Sequence, residues 1–141
     1  MKNLTLENIA KACNGSYHGS EAQANQEVQS IFTDSRKAAK GGLFVPIKGA
    51  RVDAHDFINQ VMEAGALATL SEKDLGETEF PYIKVESSLQ AVKDIAEFYL
   101  KQLEIPVVGI TGSVGKTSTK EMIAAVLGQK YNVLKTQGNF N

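Results

Sequence analysis

The segment Gly109-Ile110-Thr111-Gly112-Ser113-Val114-Gly115-Lys116-Thr117-Ser118-Thr119 constrains the chain more than any other. It follows an apolar run, Val107-Val108-Gly109-Ile110, of the kind that forms a buried strand, and leads into a helix predicted from Lys116 to Gly128. Glycines let the backbone curl through positive φ and turn successive N–H groups around an anion. The start of the following helix adds unpaired donors and partial positive charge. A lysine at 116 can reach the β- and γ-phosphates of a nucleotide, and the Thr117 hydroxyl can sit on Mg²⁺. The expected nucleotide-binding set is therefore Gly112, Ser113, Val114, Gly115, Lys116, Thr117 and Ser118, with ATP and Mg²⁺ as cofactors, Lys116 catalytic and Thr117 a metal ligand. The strict pattern G-x-x-x-x-G-K-[ST] asks for glycine at 110, where this chain has Ile110; its glycines sit at 109 and 112, so the loop is a variant. The bland alternative is a glycine-rich turn followed by a surface lysine. That reading needs three glycines, a Lys-Thr pair and a strand–loop–helix setting to coincide by chance.

The rest of the chain alternates strand and helix patterns. A first helix starts with Thr5 as its cap, places Leu6, Ile9, Ala10 and Cys13 on one face, and stops at Gly15. Residues 28–32 and 43–47 read as strands, the second an edge strand or one that ends at Pro46, which has no N–H to give a ladder. A short helix over 54–64 stops at Gly65; 66–70 is a strand, 72–79 a polar loop and 82–85 a strand. Ser87 caps the clearest helix, with Leu89, Val92, Ile95, Ala96, Tyr99 and Leu103 at helical spacing before Pro106. A further strand begins at 131–134. This order predicts an α/β fold with a largely parallel sheet. Pro106 marks a joint, giving one domain over 1–104 and the beginning of a second over 105–141. A lone βαβ unit cannot cover both faces of its strands, so Val107, Val108, Val126 and Leu127 would be left exposed, as in a domain cut near its start.

Composition removes several function classes. Fifteen basic against 16 acidic side chains leave a net charge of -1, which does not favour nucleic acid or an anionic membrane. No apolar run approaches the ~18 residues of a membrane span, and Met1 to Thr5 lack a secretory core, so no membrane insertion is expected. The single cysteine, Cys13, gives no disulfide framework and fits a reducing, cytoplasmic compartment, where it reads as a small buried hydrophobe. Two histidines and one cysteine encode no protein metal cluster. His55 is expected to cap the helix that follows it, with contact to substrate the other reading, and His18 to lie in a loop.

Residues 111–118 match the loop T-G-[ST]-x-G-K-[ST]-[ST], including the shift of glycine away from 110, and thereby resemble the Mur ligase family. The continuation Thr117-Ser118-Thr119-Lys120-Glu121-Met122 and the ending Thr136-Gln137-Gly138-Asn139-Phe140-Asn141 are similar to the family members that handle a dipeptide. Nearer the start, Asp34-Ser35-Arg36, Gly42-Leu43-Phe44-Val45, Gly49 and Asp53-Ala54-His55-Asp56-Phe57 resemble D-S-R…G-x-L-F-v-A-l-x-G-x-x-x-D-G-H-x-F. Pro46 and Ala54 replace the commoner Ala and Gly there. The resemblance covers essentially the whole chain.

The resemblance implies a ligase of peptidoglycan precursor synthesis. It would phosphorylate the terminal carboxylate of UDP-N-acetylmuramoyl-tripeptide with ATP and pass the acyl phosphate to the amine of D-alanyl-D-alanine, working as a monomer in the cytoplasm. Residues 1–104 would hold the UDP end, with Thr33 and Ser35 by the uracil and Ala50, Arg51 and Val52 on the diphosphate side. On residue types alone, Asp34-Ser35-Arg36 reads first as a solvated turn with Asp34 bonded to its own backbone, and it is the resemblance that turns Ser35 towards the substrate. The family's remaining metal ligands, modified lysine and dipeptide site lie beyond such a stretch, so these 141 residues are expected to have no ligase activity. Three alternatives stay open: the sister ligase that adds the third amino acid, a generic P-loop ATP-binding module, and a non-catalytic UDP-sugar binder. About a hundred residues precede the loop, which speaks against a P-loop kinase.

Overall fold

The computed structural model describes residues 2–50 and 52–137. The chain forms two compact units, Met1–Glu104 and Ile105–Asn141.

The first unit is built on a five-stranded sheet in the order β1-β5-β4-β3-β2, where β1 is Ser16–His18, β2 Ser30–Phe32, β3 Gly42–Phe44, β4 Ala68–Ser71 and β5 Tyr82–Lys84. β2, β3, β4 and β5 run parallel, with Phe32 beside Phe44, Phe44 beside Thr69, and Thr69 beside Tyr82. β1 closes the other edge antiparallel to β5, His18 opposite Tyr82. The chain is thus α/β with a mostly parallel sheet. A parallel strand in the middle of a sheet is buried on both faces, which explains the unbroken apolar run at Leu43, Phe44 and Val45, all 0% exposed.

Successive side chains of those strands feed opposite cores. Leu43, Val45, Leu70, Ile83 and Val85 join Leu6 and Ile9 of α1 (Leu6–Ala12) and Ala91 and Ile95 of α4 (Ser88–Leu103) on one face. Phe32 and Phe44, ring centroids 5.5 Å apart, join Ile58 and Val61 of α3 (Ile58–Glu63) on the other. Thr5 caps α1 by accepting from Asn8 N–H, and Ser87 caps α4 by accepting from Gln90 N–H. Cys13 is 8% exposed, its thiol donates to the Ile9 carbonyl at 3.0 Å, and burial pushes its pKa up, as suits a packing residue.

Several local expectations are corrected. The left-handed residue after α1 is Asn14, at φ 52, rather than Gly15. Gly15 meets a packing demand instead: a Cβ there would lie 2.7 Å from Ile83 Cγ2 and 2.8 Å from the Lys84 carbonyl. Of the two alternatives for the run at 43–47, the edge strand fails, since β3 is central, and the early end holds, since β3 stops at Phe44 before Pro46. The helix over 54–64 is a 3-10 turn, Ala54–Phe57, followed by α3. His18 belongs to β1, stacked on Tyr82 with centroids 4.5 Å apart. β1 and the four-residue α2 (Glu21–Ala24), capped by a Ser20/Gln23 box, are elements that the sequence pattern leaves out.

In the second unit, α5 spans Lys116–Leu127 and has no buried residue. The stretches 107–110 and 131–134 are not strands: among the described residues no neighbouring backbone offers them a ladder. Val107 and Val108 are 64% and 58% exposed, and Val126 is 72% exposed.

Candidate functional site

Parallel pairing brings the carboxyl ends of β2 to β5 to one edge of the sheet, the edge at which open α/β folds take their ligands. The residues expected to hold a UDP group leave that edge. Thr33 and Ser35 follow β2, the first exposed and the second half-buried. Asp34 caps the 3-10 turn Ser35–Lys37 by accepting the Arg36 N–H at 3.0 Å, and takes the Arg36 guanidinium on both oxygens at 2.9 and 2.7 Å. The Arg36 side chain and then its backbone N–H hold the Asp34 carboxyl down at about 2. This is the Asx-type turn that the residue types offer.

The strand β3 hands over to a second loop. An isolated bridge joins Lys48 to Asp53, and Gly49 N–H donates to the Val52 carbonyl at 2.9 Å. Ala50 and Val52 are exposed on this turn; Arg51 lies outside the described residues. The loop runs into the 3-10 turn Ala54–Phe57, and its cap is Asp53 rather than the expected His55. Asp53 Oδ1 accepts the His55 N–H at 3.0 Å and lies 2.6 Å from His55 Nδ1. The His55 backbone N–H, and next its ring, hold the Asp53 carboxyl down at about 2. His55 Nε2 accepts the N–H of Glu72, the residue after β4, at 3.1 Å. In the sequence Asp53 stands out only as part of a motif, and neither it nor Glu72 has a role assigned there. The spacing Asp-x-His is a readable capping signal for the first, whereas the second meets His55 only across 17 residues of chain.

In the second unit, Gly112 and Gly115 adopt φ 144 and φ 80, so the loop turns on backbone conformations that other residues rarely take. Neither glycine is there for lack of space: a Cβ at Gly115 would meet nothing within 4 Å. Gly115 starts α5 with no side-chain cap, and among the described residues no acceptor takes the N–H groups of Ser113, Val114 and Gly115. Thr119 N–H returns to the Gly115 carbonyl at 2.9 Å, closing the first helical turn. Lys116 is half-buried and its Nζ donates to the Gly112 carbonyl at 2.7 Å, which draws the ammonium onto the loop instead of into solvent. Thr117 and Ser118 are exposed in the first turn. Unspent donors, a helix start and one cation on the same loop fit the phosphates of a nucleotide, and a hydroxyl at 117 fits a hard cation such as Mg²⁺.

No helix among the described residues is long and apolar enough to cross a membrane. Comparison with known proteins gives matches in both units. Residues 27–108 match the family described as Mur ligase family, catalytic domain, and residues 110–141 match the Mur ligase middle domain. The chain is 40% identical over 139 residues to the UDP-N-acetylmuramoyl-tripeptide–D-alanyl-D-alanine ligase of Bacillus subtilis (strain 168), covering 97% of this chain and 30% of that protein. It is 45% identical over 101 residues to the UDP-N-acetylmuramoyl-L-alanyl-D-glutamate–2,6-diaminopimelate ligase of Bacillus velezensis, covering 69% of this chain and 20% of that one. Among solved structures, MurF from Acinetobacter baumannii superposes with a TM-score of 0.85 at 33% identity, over 96% of this chain and 30% of that one. The MurF ligase of Thermotoga maritima in complex with ADP superposes with a TM-score of 0.74 at 37% identity, over 81% of this chain and 26% of that one. The chain therefore spans about a third of the length of the relatives it matches. With both of its units matched, the chain belongs to the Mur ligase family.

Proposed function

We propose that the chain supplies two working parts of an ATP-dependent ligase that adds D-alanyl-D-alanine to UDP-N-acetylmuramoyl-tripeptide in peptidoglycan precursor synthesis. The observation that carries this reading is the loop before α5, where among the described residues the N–H groups of Ser113, Val114 and Gly115 have no acceptor and Lys116 Nζ donates to the Gly112 carbonyl. Its support at the level of substrate is the 40% identity to a ligase named for that tripeptide and dipeptide. Support for the nucleotide is the ADP held by the Thermotoga maritima protein.

In this reading residues 1–104 are the UDP-substrate domain and residues 105–141 begin the ATP-binding domain. Thr33 and Ser35 contact the uracil, and Ala50, Arg51 and Val52 line the diphosphate. ATP supplies the phosphoryl group that makes the tripeptide carboxylate an acyl phosphate, from which the amine of the dipeptide displaces inorganic phosphate. The chain's own contribution is positioning and charge neutralisation. Backbone donors at 112–115 hold phosphate oxygens, Lys116 offsets charge on the transferred group, Thr117 holds Mg²⁺ and Ser118 adds a donor at the helix start. A buried free thiol and the substrates themselves fit the cytoplasm.

Calorimetry separates the readings. Binding of both UDP-N-acetylmuramoyl-tripeptide and Mg·ATP is expected; ATP binding with no affinity for the UDP compound would leave a generic ATP-binding module. The 141 residues are expected to bind without turning over, and ADP release dependent on both substrates would refute that. The 45% identity over 101 residues to a ligase that takes diaminopimelate favours one second reading, the sister activity. Preference for the UDP-linked dipeptide over the tripeptide would select it.

A further inference from the structure

The imidazole of His55 is almost sealed, its side chain 5% exposed. Both ring nitrogens are engaged with groups from different parts of the chain. Nδ1 lies 2.6 Å from Asp53 Oδ1, and Nε2 takes the Glu72 N–H at 3.1 Å. A backbone N–H can only donate, so Nε2 is the acceptor and the proton of the neutral ring sits on Nδ1, donated to Asp53. The same carboxylate accepts the His55 N–H and, on its other oxygen, the Lys73 ammonium at 3.5 Å. Asp53 is also the far post of the loop that bears Ala50 and Val52, through its bridge to Lys48. Glu72 is fixed in turn, since its Oε1 accepts the Ser88 N–H at the start of α4 at 2.7 Å.

We propose that His55 is a positioning residue for binding of the UDP diphosphate: through Asp53 and the Glu72 amide it fixes the base of the loop bearing Ala50 and Val52 to the carboxyl end of β4. This rests on the reading that assigns that loop to the diphosphate. The loop's internal bond, Gly49 to Val52, holds only its own turn. Its ties to the chain just past β4 run through the ring, to the Glu72 N–H at 3.1 Å, and through the longer contact of Asp53 with the exposed Lys73 ammonium at 3.5 Å. A preorganised loop binds more tightly because less ordering is left to the moment of binding.

The test uses the 141-residue chain with UDP as probe, by calorimetry, alongside thermal unfolding. His55→Phe keeps the ring's bulk and removes both hydrogen bonds. It is expected to weaken UDP binding about tenfold, the equivalent of one charge-assisted hydrogen bond. His55→Gln can return an acceptor near the Nε2 position and is expected to recover part of the affinity, which a loss of fold stability alone would not produce. In ¹⁵N-resolved spectra of the unmodified chain, the His55 ring is expected as the neutral form protonated at Nδ1. Unchanged UDP affinity in His55→Phe, no recovery in His55→Gln, or a ring protonated at Nε2 would each overturn the proposal while UDP binding itself stands. No UDP binding by the unmodified chain would instead overturn the substrate reading on which it rests.

Discussion

At the scale of single residues, two carboxylates with the same low pKa do different jobs. Asp34 and Asp53 are each held at about 2 by a partner two residues on. A carboxyl whose folded pKa is depressed stabilises the fold above its unfolded value, about 3.9, and that contribution is lost as pH falls through the folded value. Both therefore matter between roughly pH 4 and 2. Arg36 is 87% exposed, so its pair with Asp34 is screened by salt and its side chain stays costly to order. The Asp53 pair faces a His55 ring that is 5% exposed. Asp53→Asn is expected to lower the melting temperature at pH 5 and to flatten its fall towards pH 2, while Asp34→Asn leaves both nearly unchanged; equal effects would contradict the difference in exposure. Lys116 belongs to the same scale. Lys116→Ala, in a protein of the relatives' full length, is expected to cut turnover ~100- to 1000-fold, as loss of one transition-state electrostatic partner does, with UDP affinity unaltered. Turnover within a factor of about three of the parent would remove Lys116 from the chemistry. Much of this was legible early: Thr5 and Ser87 as caps, and Asp34 as a turn-former. The role of His55 was not, because its second partner comes from the far end of β4.

Elements were readable where packing reinforces local pattern, and missed where it overrides it. α4 shows its serine cap openly and its 16 residues follow, but its apolar stripe reads only in part: Val92, Ile95 and Tyr99 pack on the core with Ala91, while Leu89 and Leu103 stand 51% and 40% exposed. β1 has only three residues, and its place in the sheet comes from pairing with β5 rather than from its own composition. The same pairing explains Gly15. In sequence it looks like a helix stop, but Asn14 already makes the left-handed turn, and Gly15 is needed because α1 delivers the chain onto the backbone of β5. Gly15→Ala is expected to destabilise the first unit by about 1–3 kcal/mol, the usual cost of forcing an added methyl into a packed site. Urea unfolding would measure it, and a variant within 0.5 kcal/mol of the parent, the range of neutral surface changes, would mean that β5 yields without cost. At Gly115 the demand is conformational, since a side chain meets no protein atom but the backbone holds φ 80. A β-branched residue tolerates that conformation worst. Gly115→Val is therefore expected to abolish ATP binding with the first unit's stability intact, and undiminished ATP affinity would refute the loop geometry.

Across the whole molecule the two units differ in what holds them. The first buries large side chains on both faces of its sheet, Phe44, Leu43, Leu70 and Ile83 among them at 0% exposure. The second is ordered around a 12-residue helix with no buried residue, while Met122 and Val126 stand 70% and 72% exposed. Isolated helices of this length are marginal in water, because a costly nucleus is repaid by few hydrogen bonds. The expected strand at 107–110 failed for a related reason: an apolar run makes a strand only when another backbone lies alongside, and among the described residues of the unit none does. Amide exchange should register the contrast. The amides of Phe44 and Leu70 are expected to exchange only by global opening of the first unit, and those of α5 orders of magnitude faster by local fraying. Mg·ATP should then slow the first turn of α5, residues 116–119, by engaging the loop donors and the helix start together, while leaving Phe44 and Leu70 unchanged. If α5 were as protected as β4 without nucleotide, the second unit would have a stability that its packing does not account for. If Mg·ATP slowed Leu70 and not the amides at 116–119, the nucleotide would be bound in the first unit and the phosphate loop would lose its assignment.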